Sequence, residues 1–324
     1  MSRENPKPFK TIDEQVEILR SRGLGISDQN RAAAFLLREN YYAVVNGYKD
    51  AFLDLEASNL AGEDRYRDGS TFDALSRVFI FDKELRDVTM AILLEAEAAM
   101  RTATVYAFCS VHGGPDDYLD PACYCSKSDY RPEWRYTKGL IRLLSTLQGV
   151  RDNRPHKAYI AHYDKNYHVV PLWVASKCLT FGTMSAFFDF QEQSVKTRTC
   201  VALARALGRP VVKQRALEYA YHTLPEFRNV CAHGERLYCA RAGKNSDKGF
   251  GELLRAMSTV VPAERLSSYA CEVLALLREV GAADAGLEES LLRGMRLTEH
   301  DFERMTKSAA QAPSFRHGVK PHVP

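Results

Sequence analysis

The sequence predicts an all-α protein, built as a helical bundle with additional N-terminal and C-terminal helices. Apolar residues recur every three to four positions through most of the 324-residue chain, which is the period of one face of a helix. Helix-capping patterns mark the starts of several of these periodic segments. The period-two alternation of β-branched residues that is typical of strands is nearly absent.

Residues 1–70 are expected to form an N-terminal helical extension. Its clearest start is the capping box Thr11-Ile12-Asp13-Glu14, in which the Thr hydroxyl and the Glu carboxylate each accept from a free backbone amide. Further helical patterns begin near Asp28 and Tyr41. The polar stretch 54–71 is rich in Gly, Asp and Arg, which predicts a loop before the main bundle.

Residues 71–245 are expected to form the helical core, followed by C-terminal helices over 246–308 and a disordered tail over 309–324. The longest predicted helix covers about 72–109, and Gly113-Gly114-Pro115 ends it. The other predicted helices cover, in chain order, 133–150, a helix that begins at Pro171, 184–192, 194–207, 210–222, 225–233, 262–280 and 285–294. No shift in composition marks a clean domain boundary.

Composition excludes several classes of protein. With 45% hydrophobic and 26% charged residues, the chain is not a wholly disordered one. Its formal charge of +3 neither requires nor excludes nucleic acid as a partner. No apolar run approaches the ~20 residues that span a bilayer, and no signal peptide is recognisable. We therefore expect a cytoplasmic protein without a membrane partner.

The eight cysteines are expected to be reduced thiols rather than metal ligands. Only Cys123 and Cys125 are close in sequence, and Cys-x-Cys without a second pair is not a zinc-ligand spacing. Several cysteines lie in apolar helical segments, where Cys behaves as a small core residue. The sequence therefore predicts no metal and no other cofactor.

The segment Arg228-Asn229-Val230-Cys231-Ala232-His233, called here the motif segment, carries the pattern that best suits chemistry. We expect a short helix that begins at Pro225 and ends before Gly234. At ~100° per residue, Arg228, Asn229, Ala232 and His233 share its polar side. The opposite side, which can face a core, carries Phe227, Val230 and Cys231.

This set of side chains suits the cleavage of a phosphodiester without a metal. An imidazole can move a proton near neutral pH, a guanidinium can hold a phosphate through a fork of donors, and an amide can orient either group. In RNA the adjacent 2′-hydroxyl is a built-in nucleophile. The alternative is that Arg228 and His233 are solvated residues of an amphipathic helix, since R-x(4)-H is common by chance.

The motif segment and the order of other segments resemble the Abi-like abortive-infection family (the AbiD/AbiF type) of the HEPN superfamily. Arg-Asn-x-x-x-His in a late helix is similar to the R-x(4–6)-H motif of HEPN ribonucleases. The resemblance extends over about residues 7–240. Its landmarks are Lys10-Thr11-Ile12-Asp13-Glu14-Gln15-Val16, Tyr41-Tyr42, Gly47-Tyr48, Phe81-Asp82-Lys83-Glu84-Leu85-Arg86, Glu97, Arg101-Thr102, His162-Tyr163, Pro171-Leu172-Trp173-Val174, Leu179-Thr180-Phe181-Gly182, Leu224, the motif segment and Arg236-Leu237.

The resemblance implies an HEPN-like bundle and a role in antiviral defence of bacteria, with RNA as the partner. Because only one convincing motif is present, it also implies a homodimer that pairs two copies. The favoured function is a metal-independent endoribonuclease with Arg228, Asn229 and His233 as catalytic residues. Two alternatives stay open: a non-catalytic RNA-binding or phage-sensing module, and a toxin held inactive by an inhibitory RNA or protein antitoxin.

Two sets of charged residues outside the motif segment could support such a site. Glu97 and Arg101 are spaced i, i+4 with the acid first, which favours an ion pair. In so apolar a run these charges need partners, so the pair either locks the helix or supports His233 or a phosphate. A basic zone before the motif segment is either a solvated face or an RNA-binding track, and consists of Lys196, Arg198, Arg205, Arg209, Lys213 and Arg215.

Two further patterns compete for a functional role. The segment Arg151-Asp152-Asn153-Arg154-Pro155-His156 also satisfies R-x(4)-H, but Pro155 would break the helix that has to present the pair. We therefore reject it as a second motif. The aromatic residues Trp173, Tyr41, Tyr42 and Tyr48 could stack on bases, although their helical spacing is more typical of a core.

Overall fold

The computed structural model describes residues 8–154, 156–243 and 245–310. Over these ranges the protein is all-α, with three isolated β-bridges and no strands, as the sequence predicts. No helix within them is both long and apolar enough for a membrane span. The part of the expected disordered tail from residue 311 onward lies outside the described residues.

The helices are numbered in chain order. They are α1 (Ile12–Ser21), α2 (Gln29–Glu39), α3 (Leu55–Ala61), α4 (Phe72–Val111), α5 (Tyr136–Arg151), α6 (Ala158–Tyr167), α7 (Leu172–Ala175), α8 (Phe181–Asp189), α9 (Gln193–Ala206), α10 (Gln214–Ala232), α11 (Phe250–Val260), α12 (Ala263–Ala283), α13 (Ala285–Met295) and α14 (Glu299–Ala310). The capping box that starts α1 is formed as predicted. The sequence patterns did not predict α6, α11 and α14.

Two N-terminal segments differ from the prediction. The polar stretch 54–71 is not all loop, because it contains α3. The Asp54 carboxylate caps this helix by accepting from the amide of Ala57, and Gly62 ends it at φ 69°, a conformation that glycine adopts without steric cost. Local capping thus outweighed the polar composition. The helix predicted after α2, through Tyr41 and Tyr48, is present, but its part at Tyr42–Asn46 is π-helical and not α-helical.

The 40-residue helix α4 is the axis of the fold. It packs against six later helices, which are α7, α8, α9, α10, α11 and α12. Its apolar stripe is fully buried at Leu85, Ile92, Leu93 and Met100. One hydrophobic cluster extends from α1 to α14 and includes these side chains. The eight cysteines form no disulfide.

The motif-bearing helix α10 runs antiparallel to α4. In the first half of α10, the Tyr221 hydroxyl donates to the Met100 carbonyl at 3.0 Å and shares a 2.6 Å hydrogen bond with Thr104. Just beyond its end, Arg86 donates to the carbonyl of Glu235. Residues late in α10 therefore lie beside residues early in α4. This pairing brings the motif segment next to the charged residues of α4.

Candidate active site

The motif segment, residues 228–233, lies at the end of α10, which begins at Gln214 and not at Pro225. The predicted short helix is therefore wrong, because Pro225 is buried inside a continuous helix. A proline there costs about 3 kcal/mol, and burial of the helix in the core offsets that cost. Fully buried on this helix are Leu217, Leu224 and Phe227. Lys248 also donates to the His222 carbonyl in the turn before the proline.

The two sides of the motif segment divide as predicted. Cys231 is buried in the core, whereas Asn229, Ala232 and His233 are exposed. Arg228 belongs to the polar side, but its side chain is only 24% exposed because it turns toward α4. The guanidinium is therefore held against the protein, while the imidazole faces solvent.

His233 is the residue at which α10 ends. Its backbone amide donates to the Asn229 carbonyl at 2.9 Å. Gly234 then adopts φ 67°, which lets the chain turn sharply away from the helix axis. Within the described residues, no hydrogen bond or ion pair engages the imidazole, which belongs to an exposed residue.

A buried carboxylate anchors the chain directly after this turn. Asp82 is fully buried on α4 and accepts from the amides of Leu237 (3.1 Å) and Tyr238 (2.8 Å). Arg86, one helical turn later, pairs with Asp82 at 2.7 Å and also donates to the Glu235 carbonyl at 3.3 Å. These contacts determine where the chain leaves α10, and therefore where His233 lies.

The role of Asp82 in holding the chain after His233 was not predicted from the sequence. Burial raises the pKa of Asp82, and hydrogen bonds from Tyr48 and the two backbone amides, together with the Arg86 charge, act in the opposite direction. The Tyr48 hydroxyl donates to the carboxylate at 2.6 Å. A signal was present, since Asp82 and Arg86 show the same acid-first i, i+4 spacing that identified Glu97 and Arg101.

Glu97 on α4 lies between two arginines. Its carboxylate pairs with Arg101 one turn further along α4, which confirms the predicted ion pair. Its second oxygen, Oε2, lies 4.0 Å from Nε of Arg228 on α10. The Arg101 guanidinium also donates to the Leu179 carbonyl at 3.2 Å. The structure thus brings three of the predicted site residues together.

This cluster carries more positive than negative charge. One carboxylate, that of Glu97, faces two guanidinium groups, so one positive charge is left without a counterion in the cluster. The Nε atoms of Arg101 and Arg228 are both buried, and neither has a hydrogen-bond partner in the described part of the chain. Buried donors without partners are costly, so a side-chain shift that exposed either Nε to an anionic oxygen would be favourable. The cluster therefore suits the binding of a phosphate.

A groove of about 480 Å³ opens beside Arg101. Trp173 and Tyr106 line it and are 56% and 67% exposed, and Lys177 adds a second positive charge. The core positions expected for Trp173 and Tyr42 are therefore wrong, although Tyr48 is buried as expected. Exposed aromatic rings beside cations are the features that stack on bases and hold a phosphate backbone.

The basic zone before the motif segment is mostly solvent-exposed. Its exposed members are Arg198, Arg205, Lys213 and Arg215. Lys196 lies over the ring of Phe188, and Arg209 donates to the carbonyls of Ser258 and Val261 and so fixes α11. Among the described residues, no hydrogen bond or ion pair joins this zone to the motif segment.

The second R-x(4)-H pattern, residues 151–156, does not place its arginine and histidine on one helix as the motif segment does. Arg151 ends α5 and pairs with Asp164 at 3.0 Å. His156 follows in a turn, at φ 51°, and not on a helix with Arg151. Pro155 lies outside the described residues. The two side chains therefore do not share a helical face, in agreement with the rejection of this pattern.

Comparison with known proteins yields one family. The family model described as "Abi-like protein" matches residues 34–239, which is more than half of the chain. The match includes Glu97, Arg101 and the motif segment, and it ends before α11. No curated protein and no solved structure matches the chain.

Proposed function

The chain belongs to the Abi-like protein family, and on that premise we propose that it is an antiphage abortive-infection protein that cleaves RNA. Family membership indicates abortive infection. The finer assignment, to an HEPN endoribonuclease that acts without a metal, rests on the motif segment. The observation that carries it is the placement of two side chains on α10. Arg228 forms an ion pair with Glu97, and its Nε has no hydrogen-bond partner among the described residues, while His233 is exposed at the helix end.

In the proposed reaction the 2′-hydroxyl of the RNA attacks the adjacent phosphorus. The imidazole of His233 takes the proton of that hydroxyl, and the Arg228 guanidinium stabilises the charge that builds on the phosphoryl oxygens. The bond from phosphorus to the 5′-oxygen breaks, and the leaving oxygen receives a proton. The products are a 2′,3′-cyclic phosphate and a 5′-hydroxyl. Asn229, one turn before His233, orients the imidazole or the phosphate.

We propose that two copies of the chain complete the site. Arg228 and His233 are about 7.5 Å apart along the axis of α10 and about 140° apart around it. One turns toward α4 and the other toward solvent. A twofold pair that brings two α10 helices together would supply one imidazole to accept the 2′-hydroxyl proton and another to protonate the leaving oxygen.

The groove beside Arg101 would hold the bases next to the scissile phosphate. Trp173 and Tyr106 offer exposed rings for stacking, and Lys177 offers a charge for the backbone. Stacking on aromatic residues tolerates any base because every base has a π-face. This contact therefore predicts weak sequence preference and strong dependence on salt.

The test is cleavage of purified RNA by the full chain in EDTA, followed by mapping of the new ends. We expect cleavage, cyclic-phosphate and 5′-hydroxyl ends, and no cleavage of DNA. A single 2′-deoxy substitution at the scissile nucleotide should block that cut alone. Normal cutting of the deoxy substrate, or a requirement for magnesium, would contradict the mechanism. Circular dichroism in EDTA is the control that the protein stays folded.

The second candidate is RNA binding or phage sensing without cleavage, which the exposed basic zone favours. In that case the chain would bind RNA in a salt-dependent manner while all RNA ends stay intact, and His233→Ala would leave the affinity unchanged. A third form of the proposal is a toxin whose site is covered by an inhibitory RNA or a protein antitoxin. Nuclease activity that appears only after bound RNA or a co-purified protein is removed would identify it.

A further inference from the structure

A second group of chemically active side chains lies where α4 ends. His112 ends the helix, and Asp117 and Cys123 lie on two short 3-10 turns that follow it. One ligand atom from each of the three residues lies within 4.8 Å of the others, and all three residues are half-buried. Among the described residues, this is the one such group of His, Cys and acidic side chains. It lies roughly 22 Å along α4 from Glu97.

The separations suit a tetrahedral metal ion after a small adjustment. Zinc binds sulfur at about 2.3 Å and nitrogen or oxygen at about 2.0–2.2 Å, so ligand atoms around it are about 3.5 Å apart. Contraction of the group by about 1 Å would bring His112, Asp117 and Cys123 to these distances. All three lie at the end of α4 or on the 3-10 turns that follow it.

Further contacts bring an unpartnered nitrogen and another carboxylate to this group. The Nε2 atom of His112 is buried without a hydrogen-bond partner in the described part of the chain, and Glu192 Oε2 lies 3.6 Å from it. Glu192 is the residue that precedes α9. The amide of Gly114 donates to one oxygen of Asp117 at 2.7 Å, which orients that carboxylate and leaves its other oxygen available.

The surroundings of the thiol are negative. The carboxylates of Asp117, Asp120 and Glu192 are all close enough to Cys123 to interact with it electrostatically. A divalent cation would offset this accumulation of negative charge and hold the sulfur as a thiolate. The mixture of nitrogen, sulfur and oxygen ligands selects among metals, since calcium and magnesium prefer oxygen alone.

We propose that His112, Asp117 and Cys123 bind a zinc ion, with Glu192 as the fourth ligand. Four protein ligands are typical of a structural site. The ion would join the end of α4, the turns that follow it and the start of α9. The expectation of no metal rested on Cys-x-Cys spacing, and here only one of those two cysteines takes part. The ligand order H-x(4)-D-x(5)-C-x(68)-E has no standard spacing that a sequence pattern could reveal.

The first test is the metal content of the full chain, purified without chelator and measured by elemental analysis. We expect about one zinc per chain. After removal of the metal, added zinc should raise the melting temperature, because a ligand that binds only the folded state stabilises it. Cobalt in place of zinc should produce a thiolate-to-metal charge-transfer band in the near ultraviolet. Absence of bound zinc together with no thermal shift on titration would overturn the proposal.

Variants assign the ligands. Cys123→Ser and Asp117→Asn should each weaken zinc binding at least about 100-fold, since loss of even outer-shell partners costs 10–100-fold. Cys123→Ser should also abolish the cobalt charge-transfer band. Cys271→Ser, at an exposed cysteine on α12, is the matched control and should retain both signals. Zinc that binds both variants as tightly as the wild type would place the metal elsewhere and contradict the assignment, whatever the nuclease assays show.

Discussion

Arg228 on α10 and Glu97 on α4 form an ion pair across the two antiparallel helices, with Nε 4.0 Å from Oε2. Glu97 also binds Arg101 on its own helix. The carboxylate therefore holds the arginine of the motif segment in place while leaving the cluster with excess positive charge. This relationship connects the predicted ion pair of Glu97 and Arg101 with a residue predicted as catalytic.

Replacement of Glu97 tests this connection. Glu97→Gln keeps the shape of the side chain but removes the carboxylate that lies between the guanidinium groups of Arg101 and Arg228, so these two groups repel each other. We expect a loss of about 1–3 kcal/mol in the free energy of unfolding and a lower rate of RNA cleavage, measured by denaturant titration and by a cleavage assay. Glu95→Gln is the matched control, because Glu95 lies on the same helix in a solvent-exposed pair with Arg265 and should change little. Equal effects of the two variants would argue against a positioning role for Glu97.

Replacement of His233 tests the catalytic assignment. We expect His233→Ala to lower the cleavage rate by about 10²–10⁴-fold, the usual contribution of general acid–base catalysis, and to abolish toxicity in cells. The melting temperature should stay near that of the wild type, since an exposed residue at a helix end contributes little packing. His300→Ala, at an exposed histidine on α14, is the control. A folded His233→Ala protein that cleaves RNA at the normal rate would refute the assignment.

Arg228→Lys should also cleave RNA much more slowly than the wild type, because an ammonium does not reproduce the planar fork of donors.

A symmetric homodimer is the third expectation. One motif segment per chain, with its arginine and histidine turned in different directions, is half of a site that a twofold axis would complete. Light scattering and sedimentation at micromolar concentration should give twice the mass of the chain, with α10 of each copy near the axis. A monomer both with and without RNA would count against the composite site, as would a dimer with the two His233 residues on opposite outer faces.

The anchor at Asp82 predicts a large effect on stability. Asp82→Ala leaves Arg86 buried without its partner and leaves the amides of Leu237 and Tyr238 without an acceptor. Breaking a buried pair of this kind costs about 3–5 kcal/mol, which urea denaturation would measure as a lower midpoint. Asp87→Ala, at an exposed position on the same helix, should remain within about 0.5 kcal/mol of the wild type. A small loss for Asp82→Ala would show that the segment after His233 is held by other contacts.

The pair of His222 and Asp189 predicts a pH dependence. A hydrogen bond to the Asp189 carboxylate, 3.2 Å away, raises the pKa of His222 above the ordinary 6.5. The stabilisation is therefore fully present below the unfolded pKa and is lost as the pH rises through the folded pKa. The imidazole is about half-exposed, so solvent screening keeps the effect below about 1 kcal/mol.

Thermal unfolding of the wild type and His222→Gln measures this pair. The wild type should be the more stable of the two at about pH 5.5, where the imidazole is charged, and the gap should close by about pH 8.5. The glutamine retains a hydrogen-bonding group but carries no charge, so the difference reports the charge alone. A gap that is constant with pH would mean that His222 contributes through packing and not through its protonation.

The sequence by itself determined the helical class and much of the local structure. The capping box at Thr11, the long span of α4 and its stop before Gly113 follow from neighbouring residues alone. The same holds for the motif segment, whose buried Cys231 and exposed His233 follow from the helical period. These features depend on interactions within a few residues, and a single sequence contains that information.

The tertiary structure alone decided how the site is assembled. Pro225 would break an isolated helix, yet α10 continues through it because packing against α4 and neighbouring helices outweighs a local cost of about 3 kcal/mol. The contact of Glu97 with Arg228, the anchoring of Leu237 by Asp82 and the approach of His112 to Cys123 each join residues from different elements. Helical periodicity predicts which side of a helix is polar. It does not predict which other helix that side will contact, because the pairing of helices depends on how the whole core packs.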